Sequence, residues 1–399
     1  MKYIPRRFFL CLAVVFMFGT SDRACAQNYN LMRDIYADMY MFNTNSQFNG
    51  FNWYSAWANL AGSIGLDPGL AGLTTRGQSD EAEKGEGGDF LSPQSSREFW
   101  GGFSYTYMKA SGVNSDDGGS LVQSNGYRVS RPGFIGGIKQ ELDDTSSGGI
   151  IFVLAAPNFL QRGVYDYDNN LWRGGYRVDV DITDFQMAVH YEKKFWDNWE
   201  LSLFLGGGTQ WMNWHRTMKY DNDLEHYRGN LTGNTLTASV YLAKVVDLTT
   251  TIRMSKIIGI DSEHSWIKGS TESGEDHVGT YELNRWGCKN ISYSRNTIRA
   301  GLRFMRENPY RQAGASFQIF YGYGIGDDAA SVSIFRLHDD WEISDVKGLP
   351  TGHHSLTLGG NLHRYLDEAE TLTLQMDYTA VLYKNLTTQN IAVSLAKRY

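Results

Sequence analysis

From Arg97 onward, apolar and polar positions alternate with a period of two. Leu201, Leu203, Leu205 and Trp211 alternate with Glu200, Ser202, Gly206 and Gln210. Leu372, Leu374, Met376, Tyr378 and Ala380 alternate with Thr373, Gln375, Asp377 and Thr379. Ile298, Ala300, Leu302 and Phe304 stand opposite Thr297, Arg299, Gly301 and Arg303, and Leu236, Ala238, Val240 and Leu242 stand opposite Thr235, Thr237, Ser239 and Tyr241. An extended strand sends successive side chains to opposite faces, so each run has one dry and one wet face. Twelve such strands are predicted, near residues 97–109, 125–140, 149–157, 176–192, 199–215, 232–246, 249–261, 290–306, 313–326, 351–363, 370–382 and 388–399. In 176–192 the apolar phase switches between Ile182 and Phe185, which predicts a bulge near Thr183-Asp184. The run "GIIFVLAA" is apolar on both faces.

Length and connections separate a membrane barrel from a soluble sandwich. Most runs reach ten residues, enough for the ~9–11 of a tilted transmembrane strand, whereas soluble strands average roughly 5–6. Short turns ("ELDDTSSG", "KKFWDNW", "VVDLT", "ENPYRQ", "RYLDEAE") lie at one end. Long polar loops near 110–124, 158–175, 216–231, 262–289 and 327–350 lie at the other. Outer-membrane barrels sort their loops in this way, with the short turns periplasmic. The predicted fold class is all-β: a 12-stranded antiparallel transmembrane β-barrel preceded by a short helical or flexible N-terminal segment.

The first 96 residues follow other rules. "MKYIPRR", the apolar "FFLCLAVVFMFG" and the small-x-small Ala24-Cys25-Ala26 predict a signal peptide over 1–26 and export. Residues 27–75 form an N-terminal segment, a pore helix or minimal passenger, in which Leu31, Ile35 and Met39 fall at helical spacing. Residues 76–96 are charged, glycine-rich and poor in aliphatics, a flexible linker. The barrel then occupies 97–399.

Composition changes little in this picture. Mean hydropathy is −0.40 and no other segment suits a transmembrane helix, whereas strands apolar on one face average to a polar composition. The chain has 43 Gly, 24 Tyr, 20 Phe and 11 Trp against 7 Pro, which suits aromatic girdles and crowded walls. A net charge of −7 argues against a nucleic-acid partner. Past the signal only Cys288 remains, too little for an internal disulfide.

Candidate chemistry is sparse. His338-Asp339-Asp340 sets a base beside carboxylates, but adjacent residues in a polar loop are usually only solvated. His353 and His354, as strand neighbours, would point to opposite faces and share one metal ion poorly. "DYDNN" and "DNDLEH" are acidic loop tips without EF-hand spacing. "LGGGTQ" and "GYGIGDD" do not open a helix after a strand, so they make no phosphate loop. No catalytic residue, cofactor or metal is expected, and the chain reads as a non-enzyme. The polar strand face instead nominates lumen residues: Glu200, Gln210, Arg253, Arg299, Arg303, Asn361, Gln375, Asp377 and Arg398. These could grip a polar plug or simply stiffen the wall with ion pairs.

Several stretches, taken in order, resemble the β-domain of autotransporters, the type V secretion barrels. "REFWGGFSYTY" is similar to the family's first strand, "KKFWDNWELSLFLGGG" to a short turn and the strand after it, and "GNTLTASVYLAKVVD" to the sixth strand. "SYSRNTIRAGLRF" is similar to the eighth strand, and "GLPTGHHSLTLGGNLHRYLDEAETLTLQMDY" to the tenth and eleventh. The resemblance implies a twelve-stranded outer-membrane barrel, monomeric, that anchors and translocates, or is plugged by, its own N-terminal segment. "NYNLMRDIYADMYMF" looks like a pre-barrel helix, making Tyr29–Phe42 a plug candidate. The implied partners are outer-membrane lipid, the barrel-assembly machinery and periplasmic chaperones, with Val393, Leu395 and Tyr399 as the assembly signal. The chain departs from the family in its short pre-barrel region, in Ser394 where a glycine is common and in Lys397 where an aromatic is common. Lys397, in the lipid-facing register, is expected to snorkel to headgroups. The alternatives are a porin-like channel, an adhesion barrel acting through its loops, or an outer-membrane hydrolase.

Overall fold

In a computed structural model of the protein the described residues are 97–399, apart from 111–112, 118–119, 125–126, 144, 163–164, 167–170, 173–176, 196–197, 221–222, 250, 275–284, 309–312, 327–329, 338–341, 348–351 and 368–370. The signal peptide, the 27–75 segment with Tyr29–Phe42, the 76–96 linker and His338-Asp339-Asp340 lie outside them, as do the tips of both acidic loops. Among the described residues there is no helix.

Twelve strands build the wall: β1 (Arg97–Ala110), β2 (Tyr127–Asp143), β3 (Ser146–Ala155), β4 (Arg177–Phe195), β5 (Trp199–Tyr220), β6 (Asp223–Asp247), β7 (Ile252–Ile267), β8 (Ile291–Asn308), β9 (Ala313–Gly326), β10 (His354–Tyr365), β11 (Leu372–Tyr383) and β12 (Leu386–Arg398). Each pairs antiparallel with the next, and β12 pairs with β1 to close the barrel. Closure satisfies the backbone groups that a free edge would leave bare in lipid. The seam is complete to its end. Tyr399 N donates to Arg97 O (2.8 Å), Arg97 N donates to Tyr399 O (3.2 Å), and the Phe99 and Tyr399 rings meet edge-on at 5.9 Å. Gly102 lies opposite Ser394, and a Cβ on Gly102 would come within 2.0 Å of Val393 O. The room for close approach at the seam is therefore on β1, across from the serine.

At the turns the sequence solves local geometry. Asn198, between β4 and β5, has φ 71°, a left-handed conformation that asparagine tolerates well, and its carbonyl accepts from Val245 N (2.8 Å). β3 runs past Ala156-Pro157 into Asn158–Arg162 without changing register: Ala155 faces Asp184 and Asn158 faces Asp181. Pro157 lacks an N–H and merely interrupts the ladder, while its carbonyl accepts from Ile182 N (2.9 Å).

Two expectations are corrected. β4 has no bulge at Thr183-Asp184, because its register with β5 is continuous from Arg177 to Phe195. Val178, Val180, Ile182, Asp184, Gln186 and Ala188 all lie buried on one face, and Phe185, Met187 and Val189 lie exposed on the other. The phase switch marks a change of surroundings. At the end of the barrel where β1 begins and β12 finishes the outer face is apolar; beyond Thr183 the outer face carries Asp179 and Asp181 and the inner face becomes apolar. The second correction concerns 216–231, which is no loop: β5 and β6 extend to Tyr220 and Asp223 and meet in a tight hairpin.

The same inversion recurs round the barrel. On the inner face above the switch, Phe159, Ile182, Met212, Trp214, Leu231, Ile267 and Ile291 are buried. Tyr127 and Phe159 stack at 5.2 Å. On the outer face the residues are Asn213, Thr217, Arg228, Asn230 and Ser292. Four short loop strands, Ser270–Thr271, Trp286–Cys288, Ser331–Arg336 and Glu342–Lys347, form an antiparallel sheet at this end. The loops predicted at 262–289 and 327–350 are therefore partly folded, and Val332 and Ile334 are buried.

Candidate functional site

Among the described residues, the inner wall at membrane depth carries the polar networks that make the candidate site. Lipid-facing alternation fixes its composition: each apolar residue directed outward leaves its neighbours directed inward, where polar side chains must find partners. Three networks result. In the first, Asp184 of β4 takes hydrogen bonds from Gln210 Nε2 (2.9 Å) and Gln186 Nε2 (2.9 Å) and pairs with Arg131 of β2. In the second, Asp261 of β7 pairs with Arg299 of β8 and accepts from Tyr241 OH (2.6 Å), while Arg299 Nη1 donates to Thr357 Oγ1 (2.8 Å). In the third, Asp377 of β11 accepts from Asn361 Nδ2 (2.7 Å) and Gln375 Nε2 (2.9 Å). Arg303 joins it electrostatically, with Glu200 in reach, and donates to Gln318 Oε1 (3.1 Å).

Of the residues nominated by alternation, Gln210, Arg299, Arg303, Asn361, Gln375, Asp377 and Glu200 enter these networks. Arg253 and Arg398 do not. They sit at the periplasmic rim, paired with Asp247 (3.2 Å) and Glu98 (3.9 Å). Arg131, Asp184, Gln186, Asp261 and Gln318 were missed, although they share the inward parity of their strands. Val393, Leu395 and Tyr399 are exposed on the outer face beside the seam. Lys397 departs from expectation: its ammonium is held by Thr371 Oγ1 (2.5 Å) and Asp367 (3.5 Å) of the β10–β11 turn, not left to the headgroups.

Two small apolar clusters interrupt the otherwise polar inner wall. Tyr241, Ile257 and Phe320 pack as one cluster, and Ile151, Ala188 and Phe204 as another with Trp100 and Ile135 against it. Several buried polar atoms have no hydrogen-bond partner among the described residues: Gln210 Oε1, Ser239 Oγ, Ser265 Oγ, Ser355 Oγ and Asn361 Oδ1.

Above the wall, one ion pair ties the folded loop to the barrel. Glu272 Oε1 accepts from Arg216 Nε (2.8 Å) and Trp214 Nε1 (3.1 Å), and Glu272 Oε2 accepts from Trp286 N (3.1 Å). Arg216 lies over the Tyr227 ring at 4.1 Å, and both ionic side chains are 0% exposed. Nearby, burial pushes the Cys288 thiol up to about 12, far from the range of a reactive thiolate. His353 and His354 both lean on Tyr323, with ring centroids at 6.0 and 5.3 Å, because His353 precedes the strand.

A family profile described as the autotransporter β-domain matches residues 106–379, from within β1 to within β11. No curated protein sequence matches the chain significantly. Among solved structures, the translocator domain of the autotransporter NalP from Neisseria meningitidis aligns with a TM-score of 0.56 and 10% identity, covering 77% of this chain and 90% of that one. The transport unit of AIDA-I from Escherichia coli aligns with a TM-score of 0.47 and 12% identity, over 88% of this chain and 99% of that one. The β-domain of the Bordetella autotransporter BrkA aligns at 0.46 and 11%, over 76% and 98%. The likeness to NalP is one of fold, and the family rests on the profile, which spans well over half of the sequence. With its closed twelve-stranded wall and lipid-facing girdle, the chain belongs to the autotransporter β-domain family and is an outer-membrane barrel of a Gram-negative envelope.

Proposed function

We propose that the barrel anchors residues 27–96 in the outer membrane and accommodates that segment in its lumen, either as cargo in transit or as a retained plug. The mechanism is passive. The wall supplies a closed passage through lipid, the segment supplies its own contacts, and no bond is made or broken. No cofactor takes part and the barrel is not an enzyme. Residues 1–26 act as the signal peptide and 76–96 as the tether. The barrel-assembly machinery, with periplasmic chaperones, inserts the chain by reading the seam strand through Val393, Leu395 and Tyr399.

One observation carries this reading: the inner wall alternates polar networks with apolar clusters and, among the described residues, leaves buried polar atoms unpartnered. A segment with both apolar and hydrogen-bonding side chains complements such a wall. That the NalP domain is named a translocator domain supports the same assignment.

Planar-bilayer conductance tests it. The full protein is expected to conduct poorly, and removal of residues 27–96 is expected to raise the current severalfold. A large open-channel current from the full chain would count against the lumen segment and in favour of a porin. A tag near Gln27, probed on whole cells, separates cargo from plug by its accessibility at the surface.

A further inference from the structure

At the periplasmic rim the inner-face charges are mixed and partly paired, with Arg398 beside Glu98 and Arg253 beside Asp247. Glu98, Glu192 and Glu200 lie on the inner face. The outer face at the same level carries cations, of which Lys397 is held by Asp367 of the β10–β11 turn. Lys244 of β6, Lys256 of β7, Arg306 of β8 and Arg364 of β10 are all exposed there. Each stands near the periplasmic end of its strand, two residues from Leu242, Ile258, Phe304 and Leu362 respectively on the lipid-facing side, with Val246 and Met254 beyond Lys244 and Lys256 on the same face. Strand parity explains the direction, since each shares the face of those residues.

Two further facts ask for an anion. Lys244 lies directly opposite Lys256 in the β6–β7 register. Directly opposed like charges destabilise a sheet unless something offsets them. None of the four makes an ion pair with a carboxylate among the described residues, whereas Lys397, at the same rim, is already held by Asp367. Depth is marked independently: Lys244 stands 5.6 Å over the ring of Trp199, a girdle aromatic, and such aromatics sit at headgroup level. From Trp199 to Trp211 along β5 the tilted strand spans roughly 30 Å, the thickness of a bilayer core.

We infer that Lys244, Lys256, Arg306 and Arg364 form a binding band for the phosphate headgroups of anionic phospholipid in the periplasmic leaflet. The phosphate takes the place of the missing carboxylates, bridges Lys244 and Lys256, and fixes the height of β6–β10 in the membrane. Basic residues near an anionic surface gain from it in this way, and the gain fades within a Debye length.

The test uses protein purified from outer membranes and returned to phosphatidylcholine bilayers containing either spin-labelled phosphatidylglycerol or spin-labelled phosphatidylcholine. The motionally restricted fraction measures association with the wall. The wild type is expected to favour phosphatidylglycerol about threefold, and about 0.5 M salt, where the Debye length is roughly 4 Å, should bring the two lipids to parity. The variant K244Q/K256Q/R306Q/R364Q should show parity at low salt, and R177Q/K289Q, which removes two cations already paired in the extracellular part, should keep the preference. If the quadruple variant does not insert, K256E, which places a carboxylate opposite Lys244, should lose most of the preference by itself. Equal association of both lipids with the wild type, a preference that survives in the quadruple variant, or one indifferent to salt would overturn the assignment. The first of these outcomes would point to an acidic periplasmic protein as the occupant.

Discussion

Along β5, the residues from Glu200 to Trp211 and those from Met212 to Thr217 follow opposite rules. In the first stretch leucines face outward and Glu200, Ser202 and Gln210 face inward. In the second, Asn213 and Thr217 face outward while Met212, Trp214 and Arg216 are buried inside. The strand does not change register between them, and neither do β4 or β6. What changes is the outer solvent. Where lipid surrounds the wall, the apolar face must point out and the interior collects the polar groups. Where water surrounds it, the ordinary rule of soluble proteins returns and the interior becomes a hydrophobic core. The molecule is thus two structures on one set of strands: an inside-out membrane wall, and an extracellular β-structure with its own packed core, tied to a folded loop by Arg216 and Glu272.

The sharpest way to break this comparison is to remove one partner of the buried ion pair. Glu272→Ala leaves Arg216 charged and without its carboxylate in the extracellular core, and loss of one partner of a buried pair typically costs about 3–5 kcal/mol. Unfolding by urea in detergent micelles, followed by tryptophan fluorescence, should show that loss. The double variant Glu272→Ala/Arg216→Met should recover much of it. Asp179→Ala, which opens the exposed Arg177–Asp179 pair on the outer face, should cost about 0–1 kcal/mol. Equal losses for Glu272→Ala and Asp179→Ala would mean that the extracellular end is not a packed core.

A second test places one substitution on one face of one strand. Val240 and Asn230 both face outward on β6, on either side of the inversion. Val240→Arg puts a charge against lipid and should cost about 2–4 kcal/mol near the midplane. Asn230→Arg puts it in water and should fall within about 0.5 kcal/mol of wild type. Similar costs at both positions would erase the boundary drawn between the halves.

The twelve strands were legible because a period of two, held for ten residues or more, leaves few alternatives; where the reading failed, it assumed one sign for the whole strand. Val178, Val180 and Ile182 looked out of phase with Phe185 and Met187 only because lipid was taken to surround both. The outward Thr217, Arg228 and Asn230 made the ends of β5 and β6 look like a loop for the same reason. In the inner wall, alternation nominated Gln210, Arg299 and Asp377 from single strands. It could not supply their partners, because ion pairs join strands far apart in sequence: Arg131 to Asp184, Asp261 to Arg299, and Arg216 to Glu272. Only the strand register brings them together. Lys397 was misjudged similarly, since the turn that holds it belongs to other strands.

That turn provides the smallest test, and it concerns the membrane half alone. Asp367 accepts from Thr371 N and Leu372 N, both at 2.8 Å, and from the Thr371 hydroxyl, and it faces Lys397. The Thr371 hydroxyl above all, then the Leu372 amide, holds its carboxyl down to about 2. A carboxyl whose value is lower in the folded state than its usual ~3.9 stabilises the fold fully above that usual value. The contribution is lost as pH falls from about 4 toward 2, when the proton displaces these hydrogen bonds. Exposure to solvent keeps the effect small. Asp367→Asn should therefore lower stability slightly at neutral pH and leave it nearly unchanged at pH ~2, where the wild-type carboxyl is already partly protonated. Urea midpoints for the two proteins should converge on acidification. A gap that stays constant from pH ~7 to ~2 would show that the turn is held by shape and not by the charge of Asp367.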